Sequence, residues 1–154
     1  MNFKRSIALF LFSLFIAGQC CYAQDPQGKA PASATGLWSE GWYRGADGYD
    51  KAVEEFKNNK KPMFVYMSVG WCPYCRKFEK GVLSSPQVRD YMKDKIKVMI
   101  DPESGRRENA LASQYGLRGF PSLYLHPPQP GRAVQLYTGV TPEEFIQQVE
   151  ESLK

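Results

Sequence analysis

Histidine is all but missing from this 154-residue chain, with His126 the only one. Cysteine is scarce too. Cys20 and Cys21 fall in an apolar N-terminal stretch, which leaves Cys72 and Cys75 in the body of the chain. A structural zinc site wants four Cys or His ligands, and Cys72, Cys75 and His126 cannot close one alone. A c-type haem needs a histidine directly after the second cysteine, where this chain has Arg76. Two soft thiolates are able to hold Cu(I), but no Met-rich or His-rich segment accompanies them, which weighs against a metal carrier. An excess of one charge is also lacking: the formal net charge is +4. No internal repeat is visible.

The N-terminus explains part of that charge. Lys4 and Arg5 precede an uncharged run, Ile7 to Ala17, and Cys21-Tyr22-Ala23 ends on a small residue. Residues 1–23 read as a secretory signal peptide, too short for a comfortable membrane span. Cleavage after Ala23 would remove Cys20, Cys21 and two positive charges, leaving 131 residues at +2. That balance argues neither for nucleic acid nor for an anionic membrane as partner. Lipid attachment at Cys20 is the competing reading, since Ala17-Gly18-Gln19-Cys20 has the outline of a lipoprotein box. Gln19 is a poor residue at its position. A periplasmic or otherwise exported location is expected, where disulfides form and persist.

Residues 24–40 begin with a stretch rich in Pro, Ala, Ser, Gly and Gln and are expected to be a flexible tether. Residues 41–154 are enough for one domain with its own core. Leu37, Trp38, Trp42 and Tyr43 read as core or edge packing rather than a ligand site. Tyr49, Ala52, Val53 and Phe56 lie on one helix face, with Asp47 as cap and Pro62 as stop. Met63 to Met67 reads as a buried strand. Ser85-Pro86 opens a short helix through Val88, Tyr91 and Met92. Ile96 to Ile100 is the next strand, and Ala110, Leu111 and Tyr115 mark a helix that stops at Gly116. Phe120 to Leu125 and Ala133 to Tyr137 read as strands either side of a proline-rich turn. His126, at a strand end, reads as a surface residue. Thr141-Pro142-Glu143-Glu144 is a capping box before a helix carrying Phe145, Ile146, Val149 and Leu153. Such an alternation predicts an α/β fold with helices on both faces of the sheet.

The chemistry concentrates at Trp71-Cys72-Pro73-Tyr74-Cys75, between a strand and a helix. Pro73 suits the first helical position, where its missing N–H is no loss. Cys72 then caps the helix, and the positive end of the dipole favours its thiolate. Arg76 and Lys77 push the same way. Cys75, Phe78 and Val82 fall on the inward face. The two cysteine Cα atoms should lie roughly 5 to 6 Å apart, within disulfide range. A purely structural disulfide over so short a loop would remove little chain entropy. An exposed, activated Cys72 and a resolving Cys75 fit the pattern better. They need no cofactor beyond their own disulfide.

Trp71-Cys72-x-x-Cys75, Lys97-x-x-Ile100-Asp101, Tyr115-Gly116-x-Arg118-Gly119-x-Pro121 and Gly139 stand in the order and rough spacing of thioredoxins. The resemblance covers about Tyr49 to Lys154. Cys75 to Lys80, with Ser85 to Val88, is similar to the C-terminal domain of the bacterial membrane thiol:disulfide interchange reductase and to secreted thioredoxin-like proteins. The resemblance implies a thioredoxin-like mixed sheet, a nucleophilic Cys72, a resolving Cys75 and a cis peptide before Pro121. It implies an apolar rim of Trp71, Phe120 and Pro121 for the substrate, with Pro73, Tyr74 and Lys97 in support. Protein thiols and disulfides would be the partners of a monomeric thiol:disulfide oxidoreductase. It would reduce or isomerise, with disulfide formation as the alternative, and exchange electrons with a membrane or soluble thiol redox protein. Two departures stand out. Pro73-Tyr74 is the glutaredoxin dipeptide, and Tyr66 occupies the position where thioredoxins carry a buried carboxylate. Glu79, one turn past Cys75, is the substitute the sequence offers.

Overall fold

A computed structural model describes residues 37–154, so the expected leader and residues 24–36 of the expected tether lie outside it. Five strands form one sheet: β1 (Tyr43–Arg44), β2 (Met63–Met67), β3 (Ile96–Ile100), β4 (Ser122–His126) and β5 (Val134–Leu136). Their spatial order is β1-β3-β2-β4-β5. β1, β3 and β2 run parallel, whereas β4 and β5 add antiparallel. The helices are α1 (Gly45–Asn59), α2 (Pro73–Phe78), α3 (Pro86–Met92), α4 (Arg106–Gln114) and α5 (Pro142–Ser152). The sheet is mixed and covered on both faces, as the alternation of elements predicts.

The central strand shows why the sequence takes this form. All five residues of β2 are buried, and successive side chains point to opposite faces. Met63, Val65 and Met67 join Ile96, Val98, Ile100, Ala52 of α1 and Ala112 of α4 in one core. Phe64 and Tyr66 enter the other core, with Phe78, Val88, Phe145 and Val149. A strand buried on both sides has no place for a polar alternation, so it reads as a continuous apolar run.

Several boundaries differ from the sequence expectation. Residues 37–40, placed above in the tether, belong to the folded body. Leu37–Ser39 is a 3-10 turn, and Trp38 packs edge-on against Trp42 and Tyr66. β1 is only two residues long, too short for any periodicity to announce it. Asp47 does not cap α1. The Ala46 N–H is instead satisfied by Glu108 Oε1 of α4 at 2.9 Å, while Asp47 pairs with Arg107. α1 begins at Gly45 with φ +64°, and a Cβ there would stand 3.2 Å from Glu108 Oε1. On α4 the buried alanine is Ala112, while Ala110 is exposed. β4 starts at Ser122, after Pro121 rather than on it. His126 is half-buried, not a surface residue: its ring packs on Phe56, and Nε2 is hydrogen-bonded to Tyr115 Oη.

The other capping signals hold. Ser85 Oγ accepts from the Val88 N–H, and Thr141 and Glu144 form a complete capping box. No helix among the described residues is long and apolar enough to cross a membrane.

Candidate active site

β2 delivers the chain to the carboxyl end of the parallel strands, and α2 starts after five intervening residues. Pro73 is the first helical residue, and Cys72 is the N-cap. The Cys75 N–H donates to Cys72 Sγ at 3.0 Å. The first turn of the helix thus offers its free N–H to the sulfur that would carry negative charge. Cys72 and Cys75 are joined as a disulfide with Cα atoms 5.3 Å apart, inside the expected range. The expectation of an exposed Cys72 is corrected: the residue is only 2% exposed. The bonded pair clusters with Val69, and the Phe120 side chain packs against it.

The surroundings divide into a rim and a floor. Trp71 is 63% exposed and meets Phe120 edge-to-face, with ring centroids 6.1 Å apart. Its indole N–H donates to Glu103 Oε2 at 2.9 Å. Glu103 is held in turn by its own N–H, which donates to Asp101 Oδ1. Phe120 leads into Pro121 through a cis peptide bond. Tyr74 points outward, 71% exposed. The Arg76 guanidinium donates to the Gly70 carbonyl at 2.8 Å, so its charge is folded back beside the Cys-x-x-Cys turn.

The floor contains a polar cluster inside an otherwise apolar core. Tyr66 is fully buried, and its hydroxyl donates to Glu79 Oε1 at 3.0 Å. Ser68 Oγ donates to the same oxygen at 3.1 Å. Burial and the nearby carboxylate keep the Tyr66 proton on well above the usual phenol range. The Glu79 backbone N–H bonds to the Arg76 and Cys75 carbonyls, which ties this carboxylate to the helix carrying the disulfide. A π turn over Glu79–Leu83 follows, closed by Ser84, whose N–H and Oγ both donate to the Glu79 carbonyl. Val82 and Leu83 are both buried behind it.

The structure brings Trp71, Cys72, Cys75 and Phe120 together, with Pro73 and Tyr74 on α2 and Pro121 beside Phe120. Lys97 stands apart. Its ammonium donates to the Met92 and Lys93 carbonyls at 2.6 and 3.3 Å, closing the end of α3. Burial pulls its pKa below the usual lysine value. Glu103 and Ser68 were not read from the sequence as site residues. Ser68 had a signal, since it lies two residues after Tyr66 and shares its side of the chain. Glu103 had none, because it meets Trp71 across 32 residues of chain.

Fold and site together define a class: a mixed α/β sheet with a Cys-x-x-Cys disulfide capping a helix and a cis-proline loop packed beside it. The thioredoxin-like domain family matches residues 49–153, and the chain belongs to that family. Among solved structures it is similar to a thioredoxin from Thermus thermophilus, at 23% identity and TM-score 0.60, over 72% of this chain and 85% of that one. It is similar to a DsbH oxidoreductase at 20% identity and TM-score 0.62, over 84% and 92% of the two chains. The reduced C-terminal domain of Neisseria meningitidis DsbD matches at 23% identity and TM-score 0.60, over 69% and 94%. At these identities the likeness bears on the fold alone. No curated protein matches the chain in sequence.

Proposed function

We propose that the protein is an exported thiol:disulfide oxidoreductase that reduces or isomerises disulfides of other proteins. The observation carrying this reading is the Cys75 N–H donating to Cys72 Sγ at a helix N-terminus, 3.0 Å away. That geometry stabilises a thiolate on Cys72 once the pair is reduced. The thiolate attacks one sulfur of a partner disulfide, whose S–S bond breaks and whose second sulfur leaves as thiolate. Cys75 then gives up its proton and attacks Cys72 Sγ. The mixed disulfide breaks, the partner's first sulfur leaves reduced, and Cys72–Cys75 closes. Two electrons have passed to the partner, and a membrane or soluble thiol donor must return them. Export is supported by the charged, apolar and small-residue order of residues 1–23.

Insulin reduction with a dithiol as electron source tests the activity. Precipitation of the freed B chain is expected with the wild type and not with Cys72→Ser. Direction is tested by equilibration with glutathione buffers. A potential below about −200 mV fits a reductase, and one near −120 mV fits a disulfide-forming oxidant instead.

A further inference from the structure

Among the described residues four large apolar side chains are exposed: Trp71, Tyr74, Val134 and Tyr137. Trp71 and Tyr74 flank Cys72 in the chain. Tyr137 reaches the same end of the sheet by another route. β5 pairs with β4 in the register Leu136 opposite Leu123. One step further along this antiparallel register, Tyr137 falls opposite Ser122, the residue that follows Pro121. The register thus sets the Tyr137 backbone beside the residue that follows the cis-proline loop.

Tyr137 is 71% exposed, yet it is built in rather than loose. Its backbone N–H donates to Gln148 Oε1 at 2.9 Å, and Gln148 Nε2 donates to its carbonyl at 2.8 Å. One side chain of α5 thus clamps both polar groups of this residue's backbone. The ring lies over Gly139. A Cβ at Gly139 would stand 2.8 Å from Tyr137 Oη and 2.9 Å from Cζ, so a larger residue there would push the ring aside. Residues 133–142 carry no charge at all, in contrast to Arg76 and Lys77 on α2. A solvent-facing aromatic carried on a backbone held by Gln148, in a neutral setting, offers large contact area at small ordering cost.

We propose that Tyr137 is a specificity-determining residue that receives an aromatic or aliphatic side chain next to the disulfide cysteine of an extended substrate polypeptide. Its place on the strand beside the cis-proline loop, opposite the residue that follows Pro121, sets its occupant as the polypeptide undergoing exchange. With both backbone groups held by Gln148, Tyr137 recognises that polypeptide through its ring and not by adding a strand. This inference rests on the redox reading of Cys72 and Cys75.

The test uses the reduced full chain and two peptides, each disulfide-bonded to a chromogenic thiol. They are identical except for Phe or Ser directly after the cysteine. The ratio of the two second-order rates is the readout, since it cancels any loss of active protein. The wild type should favour the Phe peptide about fivefold, the scale of one aromatic contact. Tyr137→Ser should bring the ratio close to one, and Tyr137→Phe should restore it. A wild-type ratio near one, or a Tyr137→Ser ratio equal to the wild type, overturns the inference while leaving the redox reading intact. Failure of the wild type to reduce either peptide, or hydroxyethyl disulfide run beside them, overturns the redox reading itself.

Discussion

The Tyr66 hydroxyl donates to Glu79 Oε1 at 3.0 Å, joining the central strand to the helix that carries the cysteine pair. The resembled thioredoxins place a carboxylate where this chain has Tyr66. Here the carboxylate comes from α2's own C-terminal end, and tyrosine and serine hydroxyls hold it. Tyr66 keeps its proton above the usual phenol range through burial and then through the charge of Glu79, so it remains a donor at ordinary pH. Glu79 lies one turn beyond Cys75, and both hydroxyls engage only its Oε1. Glu79→Gln, which keeps the shape and both hydroxyl partners, should slow closure of the Cys72–Cys75 disulfide at least tenfold, a modest share of what general bases supply. Rapid-quench measurement of the mixed-disulfide lifetime checks this, and equal lifetimes in the two proteins would exclude Glu79 as a proton acceptor for Cys75.

The two cysteines should separate cleanly by role. Cys72 accepts the Cys75 N–H at a helix N-terminus, so after reduction it should be the more reactive thiol of the two. Cys75, one turn further into the helix and buried, should react more slowly. Cys75→Ser is expected to accumulate mixed disulfides with partners, and Cys72→Ser almost none. Alkylation of the reduced protein at neutral pH, read by mass spectrometry, provides the comparison. Equal labelling rates at the two positions would contradict the assignment.

Much of this arrangement was legible in the chain, and the remainder fails to be for one physical reason. Met63–Met67, Ile96–Ile100, the Ser85 and Thr141 caps and the Cys72 cap all rest on residues within a few positions of each other. Local spacing carries such information. Glu108 satisfying Ala46, Glu103 holding Trp71 and Gln148 clamping Tyr137 join elements that the fold alone makes neighbours. No periodicity marks them. The strand Tyr43–Arg44 is likewise defined by its partners Val98 and Met99 rather than by its own two residues. The burial of Cys72 is not legible in the chain, because no local spacing shows that Phe120 packs over the pair.

The core behind the site sets how firmly α2 is held. Phe145 of α5 is fully buried, and its ring lies 6.1 Å from Phe78 and 6.4 Å from Phe64. It connects the last helix to the cysteine-bearing helix and to the central strand at once. Phe145→Ala should cost about 3 to 5 kcal/mol, the usual range for emptying a buried phenylalanine site. Urea unfolding at neutral pH measures it. A loss within about 0.5 kcal/mol, as expected for a surface change, would mean that this contact does not anchor α2.

His126 predicts the acid side of the stability curve. Burial lowers its pKa below the ordinary imidazole value. Its Nε2 is hydrogen-bonded to Tyr115 Oη, and Tyr115 Oη to Tyr49 Oη at 3.0 Å, so the ring closes a chain of hydroxyls linking α1 to β4. The folded state therefore favours neutral imidazole. Above about pH 6.5 both folded and unfolded chains carry it neutral, and its contribution is complete. As pH falls from there towards the lower folded value, the unfolded chain takes up the proton first, and stability declines. Below the folded value both states are charged and the loss levels off. His126→Gln removes the titrating group, so its melting temperature should fall less than that of the wild type between pH 7 and 5. Thermal melts across that range decide the matter, and parallel curves for the two proteins would show that His126 does not contribute to the acid loss.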